Sequence, residues 1–368
     1  MKKLYCIVGA RPNFMKIAPI MRALEEHSGN IKPVLVHTGQ HYDEAMNDTF
    51  FAQLGIPKPD IHLEVGSGSQ AAQTAEIMKR FELVITQDLP DAILVVGDVN
   101  STIACALVAA KLGVRVIHVE AGLRSNDRNM PEEINRILTD QLSDLLYITE
   151  RGAEENLRRE GIASYKIHFV GNVMIDTLMH NLEKTSNVTD ILSRNNIKSI
   201  PISNYGIITL HRPSNVDDPE VLGDLLRTLS NISRNIPLIF PVHPRTAQKL
   251  KNMDLQVIIN SGNIICTGPL AYLDLLGLMR KARLVLTDSG GIQEETTALR
   301  IPCITLRENT ERPITISHGT NILAGMDRQK IIAAADEVLK NGSKAGQIPE
   351  LWDGHAADRI AVTLNSWL

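Results

Sequence analysis

The stretch Leu286-Thr-Asp-Ser-Gly-Gly-Ile-Gln-Glu-Glu295 decides the reading of this chain. Before it, Ala282-Arg-Leu-Val-Leu-Thr287 is a valine- and leucine-rich run that predicts a buried strand. After it, Ile292 to Leu299 has helical character. Ser289, Gly290 and Gly291 therefore fall at a strand-to-helix turn, where unpaired backbone N–H groups and the positive end of the helix dipole favour an anion. Adjacent glycines let that backbone come close to a phosphate. Glu294 or Glu295, one turn in, is placed to accept hydrogen bonds from ribose hydroxyls. The competing reading of the stretch is a plain N-capped helix, satisfied by Asp288 or Ser289.

The alternation of strand and helix extends in both directions. Strands are expected at Leu4 to Val8, Lys32 to His37, Ala92 to Val96, Arg115 to Val119, Leu145 to Thr149 and Ile167 to Val170. Helices are expected at Phe14 to Glu26, Ala71 to Gln87 and Thr102 to Lys111. On the second of these Ala71, Ala75, Met78, Phe81 and Ile85 form the apolar face. The series restarts at Tyr205 to Leu210 and continues through Ile236 to Val242, Ile264 to Cys266, Leu284 to Thr287 and Pro302 to Leu306. Near-continuous apolar strands between amphipathic helices indicate parallel sheets covered on both faces. The chain therefore reads as α/β, with two Rossmann-like doubly wound parallel-sheet domains, residues 1–170 and 171–354. In such folds ligands sit beyond the carboxyl ends of the strands, in a cleft.

Composition agrees. The 368 residues exceed a usual single-core size, and 43% hydrophobic with 22% charged is ordinary for a soluble globular protein. A formal charge of −4 with no basic stripe argues against nucleic acid as a partner. Cys6, Cys105, Cys266 and Cys303 have no Cys-x-x-Cys spacing and read as buried thiols in a reducing compartment. Lys2-Lys3 followed by a short apolar run stops at Gly9-Ala-Arg-Pro12, too soon for a signal peptide. No segment is apolar for long enough to span a bilayer. The expected location is the cytoplasm, with no membrane partner.

Polar clusters follow the strand ends. Arg11 and Lys16 follow the first strand near a helix N-terminus, placed to neutralise a diphosphate. Gly9 lacks the further glycines of a dinucleotide fingerprint, which disfavours NAD. Asp98, Glu120 and either Glu132 or Glu133 arrive from successive strand-end loops, with Pro131 opening a helix. A single carboxylate would read as a cap or salt bridge; three at one rim would raise one another's pKa values, giving one group to hold a proton and one to take it. His211 and His243 each end a strand in the second half, in Leu210-His-Arg-Pro213 and Pro241-Val-His-Pro-Arg245. They suggest phosphate contact or proton transfer. No helical His-Glu-x-x-His spacing points to a metal, and His37-Thr-Gly-Gln-His41 reads as a strand-to-loop contact.

Taken in order, Gly9 to Pro12, His37 to His41, Gly97-Asp98, His118 to Arg124, Pro131 to Arg136, Leu210 to Arg212, Pro241 to Pro244, Thr287 to Glu295 and Thr310 to Pro313 make a series that resembles the non-hydrolysing UDP-N-acetylglucosamine 2-epimerases across the whole chain. The resemblance implies a GT-B architecture, a homodimer, and a final helix around 355–368 crossing back to the first domain. By motif it implies Asp98, Glu120, Glu132 and His211 as catalytic residues, with Arg11 and Lys16 as the basic pair of the first loop. It also implies His243, Ser289, Gly290, Gly291 and Glu295 as contacts to the UDP part of a UDP-sugar substrate, and no cofactor or metal. The implied reaction eliminates UDP from C1 with loss of the C2 proton, giving a 2-acetamidoglucal, and re-adds UDP after protonation on the opposite face. Its product would feed cell-surface polysaccharide. Some positions depart from the pattern. Leu275 stands where relatives often offer an aromatic ring to uracil, and Gln40-His-Tyr-Asp43 stands where relatives activated by a second UDP-GlcNAc have Gln-His-x-x-Gln. Gly-Ala-Arg-Pro-Asn-Phe at 9–14 leans toward relatives acting on UDP-2,3-diacetamido uronic acids. The alternatives are that epimerase, a hydrolysing epimerase releasing ManNAc, and a GT-B glycosyltransferase or nucleotide-sugar binder.

Overall fold

A computed structural model describes residues 1–27, 29–39, 55–197, 200–252, 255–342, 344 and 346–368, without the side chains of Arg11, Arg245 and Asn252. The Gln40 to Asp43 stretch singled out above lies outside the described residues. The chain divides into two compact units, Met1–His180 with Glu350–Leu368, and Asn181–Pro349.

In the first unit, strands β1 (Lys2–Val8), β2 (Ile31–His37), β3 (Ile61–His62), β4 (Ala92–Val96), β5 (Arg115–Ala121), β6 (Leu145–Ile148) and β7 (Ile167–Phe169) form one parallel sheet, ordered β3-β2-β1-β4-β5-β6-β7. All five residues of β4 are buried, as expected for a strand covered on both faces. The covering helices are α1 (Arg11–His27), α2 (Gln70–Gln87), α3 (Asn100–Lys111), α4 (Pro131–Leu142), α5 (Arg151–Arg159) and α6 (Val173–Leu182).

The last helix of the chain, α16 (Ala356–Trp367), packs on α1 within this unit. Asp176 of α6 accepts from the Ala356 and Ala357 backbone N–H groups at 3.1 and 2.6 Å, and Trp352 donates to the Thr149 carbonyl at 3.0 Å. Helix α6 up to His180 counts with this unit because Asp176 and Thr177 bind inside it; Thr177 donates to the Met15 carbonyl at 2.5 Å.

The second unit repeats the order. Strands β8 (Gly206–Thr209), β9 (Leu238–Pro241), β10 (Ile264–Thr267), β11 (Leu284–Thr287), β12 (Cys303–Thr305) and β13 (Asn321–Leu323) form a parallel sheet, β10-β9-β8-β11-β12-β13. Around it lie α7 (Val188–Arg194), α8 (Pro213–Val216), α9 (Pro219–Ser233), α10 (Pro244–Asn252), α11 (Gln256–Asn260), α12 (Tyr272–Met279), α13 (Gly290–Leu299), α14 (Pro313–Ser317) and α15 (Arg328–Asn341). Ile208, Leu226, Leu229, Phe240, Leu286, Ile304 and Ile331 belong to its core. In each sheet the strand order reverses beside the first strand, between β1 and β4 and between β8 and β11. A doubly wound sheet opens a crevice at that reversal, beyond the carboxyl ends.

Two expectations are corrected. The buried face of α2 runs through Gln73, Ile77, Phe81 and Ile85, while Ala71 and Ala75 are exposed. Gln73 can be buried because it accepts from Asn100 Nδ2 and donates to the Gly66 carbonyl, both at 2.9 Å. Cys6, Cys105 and Cys303 are buried, but Cys266 is exposed, since β10 is the edge strand of its sheet. Strands β3 and β13, of two and three residues, are too short to show a period. Among the described residues no helix is long and apolar enough to cross a membrane.

Candidate active site

At the reversal in the first unit, the turn from β1 into α1 is tied to the end of β4. Asn13 accepts from the Gly9 and Ala10 N–H groups at 3.1 Å and donates to the Val96 carbonyl at 2.9 Å. Gly97 follows with φ +68°, and a Cβ there would lie 2.7 Å from Lys16 Nζ, so only glycine leaves room for the ammonium. Lys16 passes it to form an ion pair with Glu120, and both side chains are almost wholly buried. Glu120 itself sits at φ +75°, beside a register shift between Val119 and Ala121. A left-handed non-glycine residue costs on the order of 1–2 kcal/mol. Here that strain accompanies a bulge that re-aims a strand-end side chain. The side chain of Arg11 lies outside the described residues, although its backbone opens α1.

Asp98 keeps 24% of its side chain exposed and meets α4: Arg136 Nη2 lies 2.6 Å from its carboxylate, and Asn135 donates to its carbonyl at 2.9 Å. Of the two acids left open by the sequence, Glu133 is buried and occupied. It accepts from the Ser125 and Asn126 N–H groups at 3.0 and 2.8 Å and pairs with Arg136. Glu132 is half-buried, on the helix face of Asn135 and Arg136 three and four residues on. Asp98 and Glu120 each have a cation beside them, Arg136 and Lys16 respectively. His118, which was part of a motif but given no role, bridges the site. Its Nδ1 lies 2.6 Å from Asp140 and its Nε2 2.8 Å from the Gly97 carbonyl.

At the reversal in the second unit, Thr209 and Thr287 end β8 and β11 with their hydroxyls 2.5 Å apart. Beyond them lie His211 and Asp288. Asp288 is fully buried and caps nothing on α13. It turns to the loop after β8 instead, accepting from the His211 and Arg212 N–H groups at 3.0 and 2.9 Å, with His211 Nδ1 2.9 Å away. Burial would raise this carboxyl, but the His211 imidazole and those N–H groups outweigh it and hold it below the usual carboxylate range. The Ser289 side chain makes no capping bond either. The plain N-cap reading is therefore corrected: no side-chain cap is supplied by either residue, and α13 opens on Gly290.

A Cβ at Gly290 would lie 2.7 Å from Glu311 Oε1. Glu311 is buried; desolvation is outweighed by Arg307, Arg312 and Arg212, which keep it strongly acidic. Glu294 pairs with Arg312 at 2.8 Å, and Glu295 accepts from the Tyr272 hydroxyl at 2.9 Å. His243, exposed after β9, has its ring 6.3 Å from that of His211. Leu275 is half-buried on α12. Asp288, Glu311 and Tyr272 were missed as site-forming residues. Asp288 and Glu311 lie in the Thr287 to Glu295 and Thr310 to Pro313 motifs, but an inward-turned acid leaves no local pattern that tells its partners. Among the described residues no group of three His, Cys, Asp or Glu side chains is arranged to hold a metal ion.

Comparison with known proteins gives the same picture. A UDP-N-acetylglucosamine 2-epimerase of Methanococcus maripaludis is 43% identical over 93% of each chain. A UDP-2,3-diacetamido-2,3-dideoxy-D-glucuronate 2-epimerase of Pseudomonas aeruginosa is 39% identical over 98% of this chain and 99% of its own. The crystal structure of the Methanocaldococcus jannaschii UDP-GlcNAc 2-epimerase, in complex with UDP-GlcNAc and UDP, superposes with a TM-score of 0.89 at 42% identity, covering 99% of both chains. The two parallel-sheet units are thus of GT-B-like fold. The family model described as UDP-N-acetylglucosamine 2-epimerase matches residues 22–365, and the chain belongs to that family.

Proposed function

We propose that the protein interconverts UDP-GlcNAc and UDP-ManNAc by elimination and re-addition of UDP. The observation that carries this reading is Glu120, strained at φ +75° and ion-paired with buried Lys16 beside Asp98 at a strand-order reversal. Binding alone has no use for acids held that way; moving the C2 proton does. The bond from C1 to the diphosphate oxygen breaks, and UDP leaves with the bonding pair. The C2–H pair becomes the C1=C2 double bond while a carboxylate takes the proton. Protonation of C2 on the other face and return of UDP to C1 give the manno sugar. Asp98, Glu120 and Glu132 supply the acid and base. Arg11 and Lys16 bring positive charge to the start of α1, and His211 serves the departing diphosphate. Ser289, Gly290, Gly291 and His243 hold the phosphates, and Glu295 the ribose. The uncapped start of α13 supports this assignment, since its first N–H groups suit an anion.

This reading places the enzyme in the cytoplasm as a homodimer. The Pseudomonas relative favours trying a diacetamido uronic acid substrate as well. The deciding experiment is turnover of each nucleotide sugar in D2O, read by proton NMR. We expect UDP-ManNAc from UDP-GlcNAc with one deuteron at C2. Turnover without deuterium, or turnover only of the uronic acid, would overturn the proposal.

A further inference from the structure

We infer that Asp288 is a positioning residue that fixes the proton of His211 on Nδ1 and so leaves Nε2 as the nitrogen that exchanges protons during turnover. This rests on the function proposed above. The two residues are 77 apart in the chain and follow adjacent strands, β8 and β11, whose last residues Thr209 and Thr287 pair in register. The strand-order reversal thus brings them together.

Asp288 is 0% exposed, while the His211 side chain keeps 44% exposure. Four donors converge on the carboxylate. The N–H of His211 reaches both oxygens, at 3.2 and 3.0 Å. Arg212 N–H and Asn215 Nδ2 meet Oδ2 at 2.9 and 3.3 Å, and the remaining contact is His211 Nδ1 to Oδ1 at 2.9 Å. An ionised carboxylate only accepts, so Nδ1 must carry a hydrogen whether the ring is neutral or charged. The Nε2 side then accepts a proton or, once protonated, donates to the oxygen that leaves with the C1 bonding pair. A buried acceptor behind an exposed imidazole orients the ring and fixes its tautomer.

The same geometry sets the test. In Asp288→Asn one oxygen remains, and the Arg212, His211 and Asn215 donors claim it at the Oδ2 side. The amide NH2 then faces Nδ1 and forces its hydrogen onto Nε2. The overall shape is kept while the tautomer is reversed. We expect kcat on UDP-GlcNAc to fall by about 10²–10⁴-fold, as for other wrong-tautomer or lost acid–base changes. UDP affinity by calorimetry should stay within several-fold. Nitrogen-15 NMR at alkaline pH should place the His211 hydrogen on Nδ1 in the parent and on Nε2 in the variant. In a His211→Asn background, adding Asp288→Asn should cost little more, because the two act as one unit.

Retained kcat, unchanged tautomer, additive losses, or UDP affinity falling in proportion to kcat would each overturn the inference. The last would assign Asp288 a merely structural role. If the parent does not turn over UDP-GlcNAc, the function reading fails, and the nitrogen-15 spectra still decide where the His211 hydrogen sits.

Discussion

The two candidate sites occupy the same place in two sheets of the same strand order, yet their polar groups are held differently. In the first unit the charges are paired side chain to side chain: Lys16 with Glu120, and Arg136 with both Asp98 and Glu133. The backbone there accepts strain at Glu120. In the second unit the acids turn inward. Asp288 binds a neighbouring loop, Glu311 and Glu294 bind arginines, and Glu295 binds Tyr272. The start of α13 has no side-chain cap. One topology thus carries two different sets of polar contacts, because a fold places strand ends without dictating their chemistry.

That contrast can be broken most forcefully at the acids. Glu120→Gln, Asp98→Asn and Glu132→Gln should each lower kcat by about 10²–10⁴-fold with UDP affinity within several-fold. Steady-state rates with calorimetry check this, and a parallel loss of UDP binding would erase the distinction between the two sites. Next comes Gly290→Val, which drives a side chain into Glu311 and displaces the helix start. UDP affinity should weaken by about 10–100-fold, the worth of one charge-assisted hydrogen bond. Parent-like UDP binding would put the nucleotide elsewhere.

A smaller effect separates Glu133 from its neighbour. Glu133→Gln should cost about 1–3 kcal/mol of stability in urea unfolding, since it weakens a buried pair while keeping some acceptors. UDP affinity should not move. If stability is unchanged and turnover collapses, Glu133 and Glu132 have been assigned the wrong way round.

The smallest effect lies away from both candidate sites. Burial raises the Asp176 carboxyl to about 6, against the N–H groups of Ala357 and Ala356. A raised group contributes stability that is full below its unfolded value and is lost as pH rises through about 6. His37 runs the other way: burial and then His62 lower it to about 4, so its contribution is lost as pH falls from its ordinary value through about 4. Between those limits Asp176→Asn should change the pH slope of stability by on the order of 1 kcal/mol per unit. Unfolding across that pH range checks it, and an unchanged slope would remove Asp176 as the titrating group.

The sequence by itself determined the alternation of strands and helices, the glycine turn at 289–291, the acids and histidines at strand ends, and the family. These are local matters, set by side-chain periodicity and by which residues tolerate a turn. Only the tertiary structure decided which partners each acid takes. Glu132 and Glu133 are equivalent in a helix start until Ser125, Asn126 and Arg136 claim one of them. Asp288 reads as an N-cap until β8 brings His211 beside it. Gln73 reads as surface until Asn100 and Gly66 satisfy its amide. Nor could the left-handed backbone of Glu120 be read, since that residue type gives no sign of it. The physical reason is common to all four. A buried polar group or strained residue is stable only with its particular partners, and those are chosen by which strands lie side by side.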